Sequence, residues 1–469
     1  VKIRNPAKVQ EYGKEIFMFK ATEKKNALFL QFVHNLIGNR ICGRHISGYE
    51  RKFEYRDSDL RVAIIGGGAA GIFGAISAAT HNSAAEIVVL EATRRPLAKV
   101  LISGGGRCNV THRCFDSADL VKNYPRGNRE LLGPFNKFQP RDTIAWFERH
   151  GVRLKAEEDG RMFPITDRSQ TIADCLLETA AELGVELRLE AGARNIAALS
   201  RNKAKTSFEI EFQKGTPERF DRILIATGSA RDGYRIAESL GHSIVPCVPS
   251  LFTFRVNDAR LDGLAGISIG NVKLTLADGE RKKIEQAGDL LITHWGLSGP
   301  AVLRLSSWGA RILHENKYRG ELLIDLLPGY NREQLHDKLH EFRNANHGKQ
   351  IINANPFALP RKFWERLIQH IGILHGTLWG NMTGNHMTAL IEELSCGRYE
   401  IAGKGEFKDE FVTSGGVNLR EVDFRTMQSK VNPGLYFAGE ILDIDGITGG
   451  FNFQNAWTTG WIAGMNMVL

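Results

Sequence analysis

The chain of 469 residues carries 61 Lys and Arg against 53 Asp and Glu, a formal charge of +8, with 42% hydrophobic and 24% charged residues. That mixture is too apolar for a disordered protein, and no run of about 18 apolar residues is present to span a bilayer, so a soluble protein of two or three domains is expected. Six cysteines (Cys42, Cys108, Cys114, Cys175, Cys247, Cys396) are dispersed without C-x-x-C spacing, which predicts no metal site and a reducing, cytoplasmic compartment.

Charge distribution matters more than its sum. Residues 1–60 hold twelve Lys and Arg against seven Asp and Glu, five of the eight excess charges. The remainder is nearly neutral, which argues against a nucleic-acid partner. Residues 1–60 lack a sustained period, and the apolar run 27–37 is interrupted by Gln31, His34 and Asn35. They read as a poorly structured or extraneous extension, and Glu11, Glu15 and Glu23 do not suit a transit peptide.

The chemistry starts at Arg61. Val62-Ala63-Ile64-Ile65 has the continuous β-branched character of a strand buried on both faces, and Gly66-Gly67-Gly68-Ala69-Ala70-Gly71 follows directly. This is G-x-G-x-x-G between a strand and a helix that carries Ile72, Ala75, Ile76 and Ala79. Gly66 permits the tight turn, Gly68 lets the backbone approach a pyrophosphate, and Gly71 lets the helix pack close to the strand. The helix N-terminus faces the phosphates. A second strand, Glu86-Ile87-Val88-Val89-Leu90, ends at Glu91 and Ala92, about 20 residues beyond the last glycine, where an acid accepts hydrogen bonds from an adenosine ribose.

A second glycine cluster, Lys99-Val100-Leu101-Ile102-Ser103-Gly104-Gly105-Gly106-Arg107-Cys108-Asn109-Val110-Thr111, follows too soon to open another βαβ unit. It reads as a loop that wraps an extended dinucleotide, the feature that favours FAD over NAD. Lys99, Ser103, Gly105, Arg107, Cys108 and Asn109 are its candidate contacts. Arg107 is offered to phosphate and Asn109 to a ring edge, against an ordinary loop with a surface arginine. Further on, Ile223-Leu224-Ile225-Ala226 is a buried strand that ends in Thr227-Gly228 and hands over to an insertion at 241–412.

In the insertion, Phe252-Thr253-Phe254-Arg255-Val256, Ile267-Ser268-Ile269 and Val272-Lys273-Leu274-Thr275-Leu276 predict short strands of a small antiparallel sheet or barrel. Ser298 is expected to cap a helix with Pro300 in its first turn, and 331–375 reads as helical. No second G-x-G-x-x-G occurs, so there is no dedicated NAD(P)H domain and a nicotinamide must visit the flavin directly. At the C-terminus a short strand ends in Gly439 and Glu440. Asp443, Asp445, Gly446, Thr448, Gly449, Gly450, Phe451 and Asn452 then lead into a helix expected over 454–467. Glu440 is placed on the ribitol and the amides near Gly450 and Phe451 at the pyrimidine edge of the flavin.

The glycine string at 99–111 and the segment 438–452 resemble the YhiN/BaiN-type flavoproteins, also labelled aminoacetone-oxidase-like or NAD(P)/FAD-dependent oxidoreductases. Gly160-Arg161-Met162-Phe163-Pro164, Thr293-His294-Trp295-Gly296-Leu297-Ser298-Gly299-Pro300 and Thr413-Ser414-Gly415-Gly416-Val417 extend the resemblance over 61–469. It implies an α/β fold in which a two-dinucleotide-binding-type, Rossmann-like FAD domain (61–240 and 413–469) is interrupted by a mixed β and helical insertion. It also implies noncovalent FAD, and for at least one member type the reduction of a conjugated enone in steroid-like bile acids.

Other residues admit two readings. Cys108 and Cys114 form a flavin-coupled dithiol or are packing residues; His294 beside Trp295 is a proton donor, a wall of the substrate pocket or structural. Arg161 binds an anion or an internal acid, and Asp443 with Asp445 are ribitol contacts or turn formers rather than an acid–base pair. The expectation is an FAD-dependent oxidoreductase that reduces an activated C=C bond of a small molecule, with NAD(P)H as transient donor. An oxygen-using amine or amino-ketone oxidase, a tRNA-associated flavoprotein and a nonenzymatic redox sensor are the alternatives.

Overall fold

The computed structural model describes residues 60–202, 205–278, 282–405 and 412–469, so the reading of 1–60 as an extension falls, but for Leu60, outside the described residues. At the centre of the first domain is a sheet in which Arg61–Ile65 lies between Glu86–Leu90 and Arg222–Ile225. Glu186–Arg188 and Leu435–Phe437 extend it in parallel. Val422–Asp423 and Gln428–Ser429 add an antiparallel edge. Val62, Ala63 and Ile64 are fully buried, as a strand covered by helices on both faces requires.

The first helix, Ala69–His81, packs against the last, Phe451–Asn466. The approach is close enough that a Cβ on Gly464 would lie 2.1 Å from the Gly74 carbonyl oxygen. The last helix starts three residues earlier than expected because Gly450, at φ 91°, supplies the turn into it.

The chain leaves this domain through Ile244–Ser250 and returns through Val412–Val417, which pair antiparallel. Between them a seven-stranded antiparallel sheet has Gly397–Ile401 at one end and Gly403–Lys404 at the other. These are successive pieces of one extended segment, so the ends meet and the sheet closes into a barrel. Two expected short strands are in fact one, Ser268–Asp278, interrupted between Ile269 and Val272, with Asn271 at φ 50°. Asparagine tolerates that left-handed conformation, so the turn signal at Gly270-Asn271 marks a bulge, not a strand end.

The expected cap is also corrected. Ser298 ends the strand Gly296–Ser298, and Gly299, at φ 95°, precedes the helix Pro300–Trp308. The helical stretch 331–375 resolves into Arg332–Ala345, a single turn Ile351–Asn353 and Arg361–His370; Gly384–Cys396 was not read from the sequence. Asn331 and Gln334 close a reciprocal cap on the first of these. Trp364, Trp379 and Leu390 help form a core for the insertion separate from that around the parallel sheet.

The return segment is tied down by His242, which is buried with Nδ1 3.0 Å from Glu421 and Nε2 2.9 Å from Ser429 Oγ. Burial lowers its pKa, and Glu421 only partly offsets this. The unfolded imidazole, with a pKa near about 6.5, therefore takes up a proton first, so the stability contribution is present above that pH and lost as pH falls through the folded value. His242→Gln is expected to flatten the fall in urea midpoint between about pH 7.5 and about pH 5.5; an unchanged slope contradicts the assignment.

Candidate dinucleotide site

The C-terminal ends of the parallel strands bring the predicted residues to one edge of the sheet. Gly66 turns the chain at φ 106°, and a Cβ there would stand 2.6 Å from the Ala226 carbonyl oxygen. Gly68, with φ −85° and ψ −171°, caps the first helix, and a Cβ on it would meet nothing within 4 Å. Its backbone needs no glycine, and the space in front of it is open. Ala69 and Ala70 begin the helix, and Gly71 holds it against the strand.

Glu91 stands at the end of the second strand. Gly67 N–H donates to its Oε2 at 2.8 Å, and the Thr93 amide and hydroxyl donate to its Oε1 at 2.8 and 2.7 Å. Ala92 lies against Gly192. The glycine string expected as a loop is instead a helix, Ala98–Gly106, broken where Ser103 turns extended and Gly104 and Gly105 adopt positive φ. Its first turn is anchored by Leu97 N–H donating to the Gly67 carbonyl at 2.9 Å. From that turn Lys99 reaches Glu440 Oε2 at 2.5 Å and Ser229 Oγ at 3.0 Å. The Thr413 N–H donates to Glu440 Oε1 at 3.0 Å, and Gly228, at φ 59°, lies beside the same carboxylate. Thr227 Oγ1 and Ser414 Oγ, each next in sequence to a residue that meets Glu440, are buried without partners.

Several predicted contacts are engaged within the protein. Arg107 bonds Glu157 at 2.6 Å and lies over the Phe163 ring at 4.0 Å. Arg161 bonds Asp159 at 2.7 Å and Glu157 at 2.8 Å, an internal ion pair. Cys108 is buried, its thiol pushed up to about 12 by burial, and burial also raises that of Cys114; both thiols are free. Ser103 donates to Val100 O, and Gly105 faces open space. Asn109, in the amide orientation that satisfies both neighbours, accepts from Gly450 N–H at 2.9 Å and donates to the Thr111 carbonyl at 3.0 Å. The Gly450 amide expected at a flavin edge is thus taken by Asn109.

Gly439 donates to Thr459 Oγ1 at 2.9 Å, and Asn452 makes two bonds to Gly446 that brace the loop before the last helix. The two aspartates of that loop are ion-paired, neither acid–base partners nor simple turn formers. Asp443 binds Arg311 at 2.6 and 2.8 Å, and Asp445 binds Arg126 and Ser250 Oγ. Burial raises the Asp445 pKa more than Arg126 and Ser250 lower it. Arg126 also donates to the Ser307 carbonyl at 2.6 Å, which ties the loop to the insertion.

Two residues absent from the sequence reading complete this edge. His112 stacks on Phe451 with ring centroids 4.8 Å apart, and Tyr124 donates to the Phe451 carbonyl at 2.6 Å. His112 directly follows the glycine string, so adjacency was an available signal; Tyr124 had none. His294 and Trp295 instead line a cavity of about 540 Å³ in the insertion, with Asn257, Asp258 and Asp262 on its wall. Among the described residues no helix is long and apolar enough to cross a membrane, and no group of three or more His, Cys, Asp or Glu side chains is placed to hold a metal ion.

Residues 60–466 match the model of the HI0933-like protein Rossmann domain. The chain belongs to this family. HI0933-like chains form a Rossmann-type family of flavoprotein oxidoreductases. This member is 31% identical over 417 residues to the ribosomal RNA dihydrouridine synthase of Escherichia coli, a match that covers 86% of this chain and 97% of that protein. It is 29% identical over 415 residues to the 3-dehydro-bile acid delta(4,6)-reductase of Clostridium scindens, covering 86% and 98%. Among solved structures it is similar to a 3-ketosteroid delta1-dehydrogenase from Sterolibacterium denitrificans, with a TM-score of 0.46 and 10% identity, covering 87% of this chain and 99% of that one.

Proposed function

We propose that the protein is an FAD-dependent oxidoreductase that reduces a carbon–carbon double bond conjugated to a carbonyl, with NAD(P)H as donor. The observation that carries the cofactor reading is the contrast between Gly71, where a Cβ would lie 1.9 Å from the Gly66 carbonyl oxygen, and Gly68, where it would meet nothing. Gly71 is required by the fold; the open space at Gly68, beside a helix N-terminus, fits a pyrophosphate.

The residues present fit the rest of the group. Gly66, Gly67, Gly68 and Gly71 form the pyrophosphate turn and Glu91 takes the adenosine ribose. Lys99 and Glu440 are available to the ribitol and phosphate side, and the unpartnered hydroxyls of Thr227 and Ser414 to further polar atoms. When bound, the flavin supplies the two electrons as a hydride. The protein's part is to orient the ring against the substrate, exclude water and set the charge around it. Binding of this group is noncovalent in this reading.

The names of the two relatives support the reaction. Dihydrouridine is uridine saturated across a double bond conjugated to a carbonyl, and a delta(4,6)-reductase of a 3-dehydro bile acid saturates bonds of the same kind. A second reading follows from the first relative: the alkene is the uracil ring of a ribosomal RNA uridine. That reopens nucleic acid as a partner.

Gly68→Val tests the cofactor reading. It is expected to leave the thermal midpoint within a few degrees of the parent and to weaken FAD binding by at least about tenfold, about 1.4 kcal/mol. Unchanged FAD affinity contradicts it. For the reaction, stopped-flow mixing with NADH and NADPH is expected to bleach the bound flavin, and enones or uridine-containing transcripts to restore its colour. Reoxidation by oxygen alone would oppose the reductase reading.

A further inference from the structure

The helix Arg332–Ala345 buries Leu335 and Leu339 in the core of the insertion and leaves His336 and His340 exposed. In the run His336-Asp337-Lys338-Leu339-His340 the two histidines are four positions apart, so their side chains stand one turn from each other on the same face. The ring centroids are 6.1 Å apart and the ring planes lie within 17° of parallel. This is the spacing at which the two histidines of a helical H-E-x-x-H motif offer their nitrogens to one metal ion.

Each ring is held from its Nδ1 side. His336 Nδ1 lies 3.4 Å from Asp337 Oδ1, and His340 Nδ1 lies 3.3 Å from the amide nitrogen of Asn344. An imidazole that ligates a metal through one nitrogen characteristically anchors the other on a carboxylate or carbonyl oxygen, which fixes its orientation and tautomer. Asp337 is already such an anchor for His336. Half a turn of the exposed Asn344 amide exchanges its nitrogen for its oxygen and makes it a second one for His340. Neither Nε2 is hydrogen-bonded to a described residue, so both are available as lone-pair donors.

We propose that His336 Nε2 and His340 Nε2 bind one divalent transition-metal ion of the Ni2+, Cu2+ or Zn2+ type. Imidazole nitrogen suits these ions, whereas Mg2+ and Ca2+ take oxygen ligands. Among the described residues no third His, Cys, Asp or Glu completes the set. Water therefore fills the remaining positions, and the site is open to solvent. Because both ligands belong to one helix, the ion clamps the turn 336–340 and, through the buried Leu335 and Leu339, stabilises the folded insertion. The site uses no part of the dinucleotide edge and is independent of the flavin reading.

Untagged full-chain protein, stripped with a chelator, is titrated calorimetrically with Ni2+, with Mg2+ as the control. Wild type is expected to show a Ni2+ site that His336→Gln and His340→Gln each weaken by at least about tenfold. Binding to the free thiols is common to all three proteins and cancels in the comparison. The double variant His340→Gln with Glu341→His keeps the number of histidines but shifts the second by one position, off the shared face. It is expected to bind no better than the single variants. Saturating Ni2+ is expected to raise the thermal midpoint of wild type and not that of the variants, whose metal-free midpoints stay close to the parent because both side chains are exposed.

Equal Ni2+ binding by wild type and the single variants overturns the proposal. So does wild-type affinity in the respaced double variant, which would show that histidine content and not the helical pair holds the ion. A Mg2+ response as strong as that to Ni2+ overturns it as well.

Discussion

Gly71→Val is expected to yield protein that neither folds stably nor binds flavin. An added Cβ at this position would lie 1.9 Å from the Gly66 carbonyl oxygen and 3.3 Å from Ile64 Cγ2. Both neighbours belong to the buried first strand and its turn, so relief requires backbone movement and not a change of rotamer. Overpacking of this kind costs about 1–3 kcal/mol where side chains can yield and more where backbone must move. A shift of the helix off the strand also carries its N-terminus away from the turn, so the structural and binding losses arise together. Thermal unfolding and flavin content of Gly71→Val and Gly68→Val, measured side by side, check this: the first variant loses both and the second loses binding. Equal effects would show that the two glycines do not have separate roles.

Asp445→Ala is expected to produce the second large effect. The Asp445 side chain is 0% exposed and that of Arg126 10% exposed. Removal of the carboxylate leaves a guanidinium buried beside Ser250 and the Ser307 carbonyl, with no counter-charge. Breaking a buried pair in this way costs about 3–5 kcal/mol, whereas replacing both partners by apolar groups of similar size is far less damaging. The double variant Arg126→Met with Asp445→Leu should therefore recover much of the urea midpoint lost by Asp445→Ala. Because the pair joins the loop before the last helix to the insertion, both changes are expected to lower FAD affinity even where stability returns. A double variant as unstable as the single one would contradict the unpaired-charge explanation.

These two cases also mark how much was legible in the sequence. Gly66 to Gly71 and Glu91 are local: strand, turn, helix and acid follow one another within the span that one βαβ unit covers, so residue type and spacing suffice. Lys99 and Glu440 were each recognised as candidates, but their ion pair closes across 341 residues. Nothing in either neighbourhood specifies that the short turn at 98–102 is helical and points its lysine across the sheet edge. Asp443 and Asp445 were read by their immediate glycine-rich surroundings as turn or ribitol residues. Their arginines come from 132 and 319 positions away, one of them from the insertion.

In the insertion, the β periodicity was legible and the barrel correctly among the expectations. The bulge at Asn271 and the left-handed Gly299 were not, because a glycine or asparagine that bends a strand looks the same in sequence as one that ends it. His112 shows a related loss. A single histidine carries no chemical signal until the fold places the Asp159 carbonyl on one nitrogen and leaves the other bare.

The central claim is that the glycine edge of this sheet holds FAD. It is tested most directly by the visible spectrum and cofactor content of the purified full chain, with and without reconstitution. Expected are the two flavin absorption bands, about one FAD per chain, and intact FAD released on denaturation, the signature of noncovalent attachment. Colourless protein that takes up no FAD on reconstitution would contradict it.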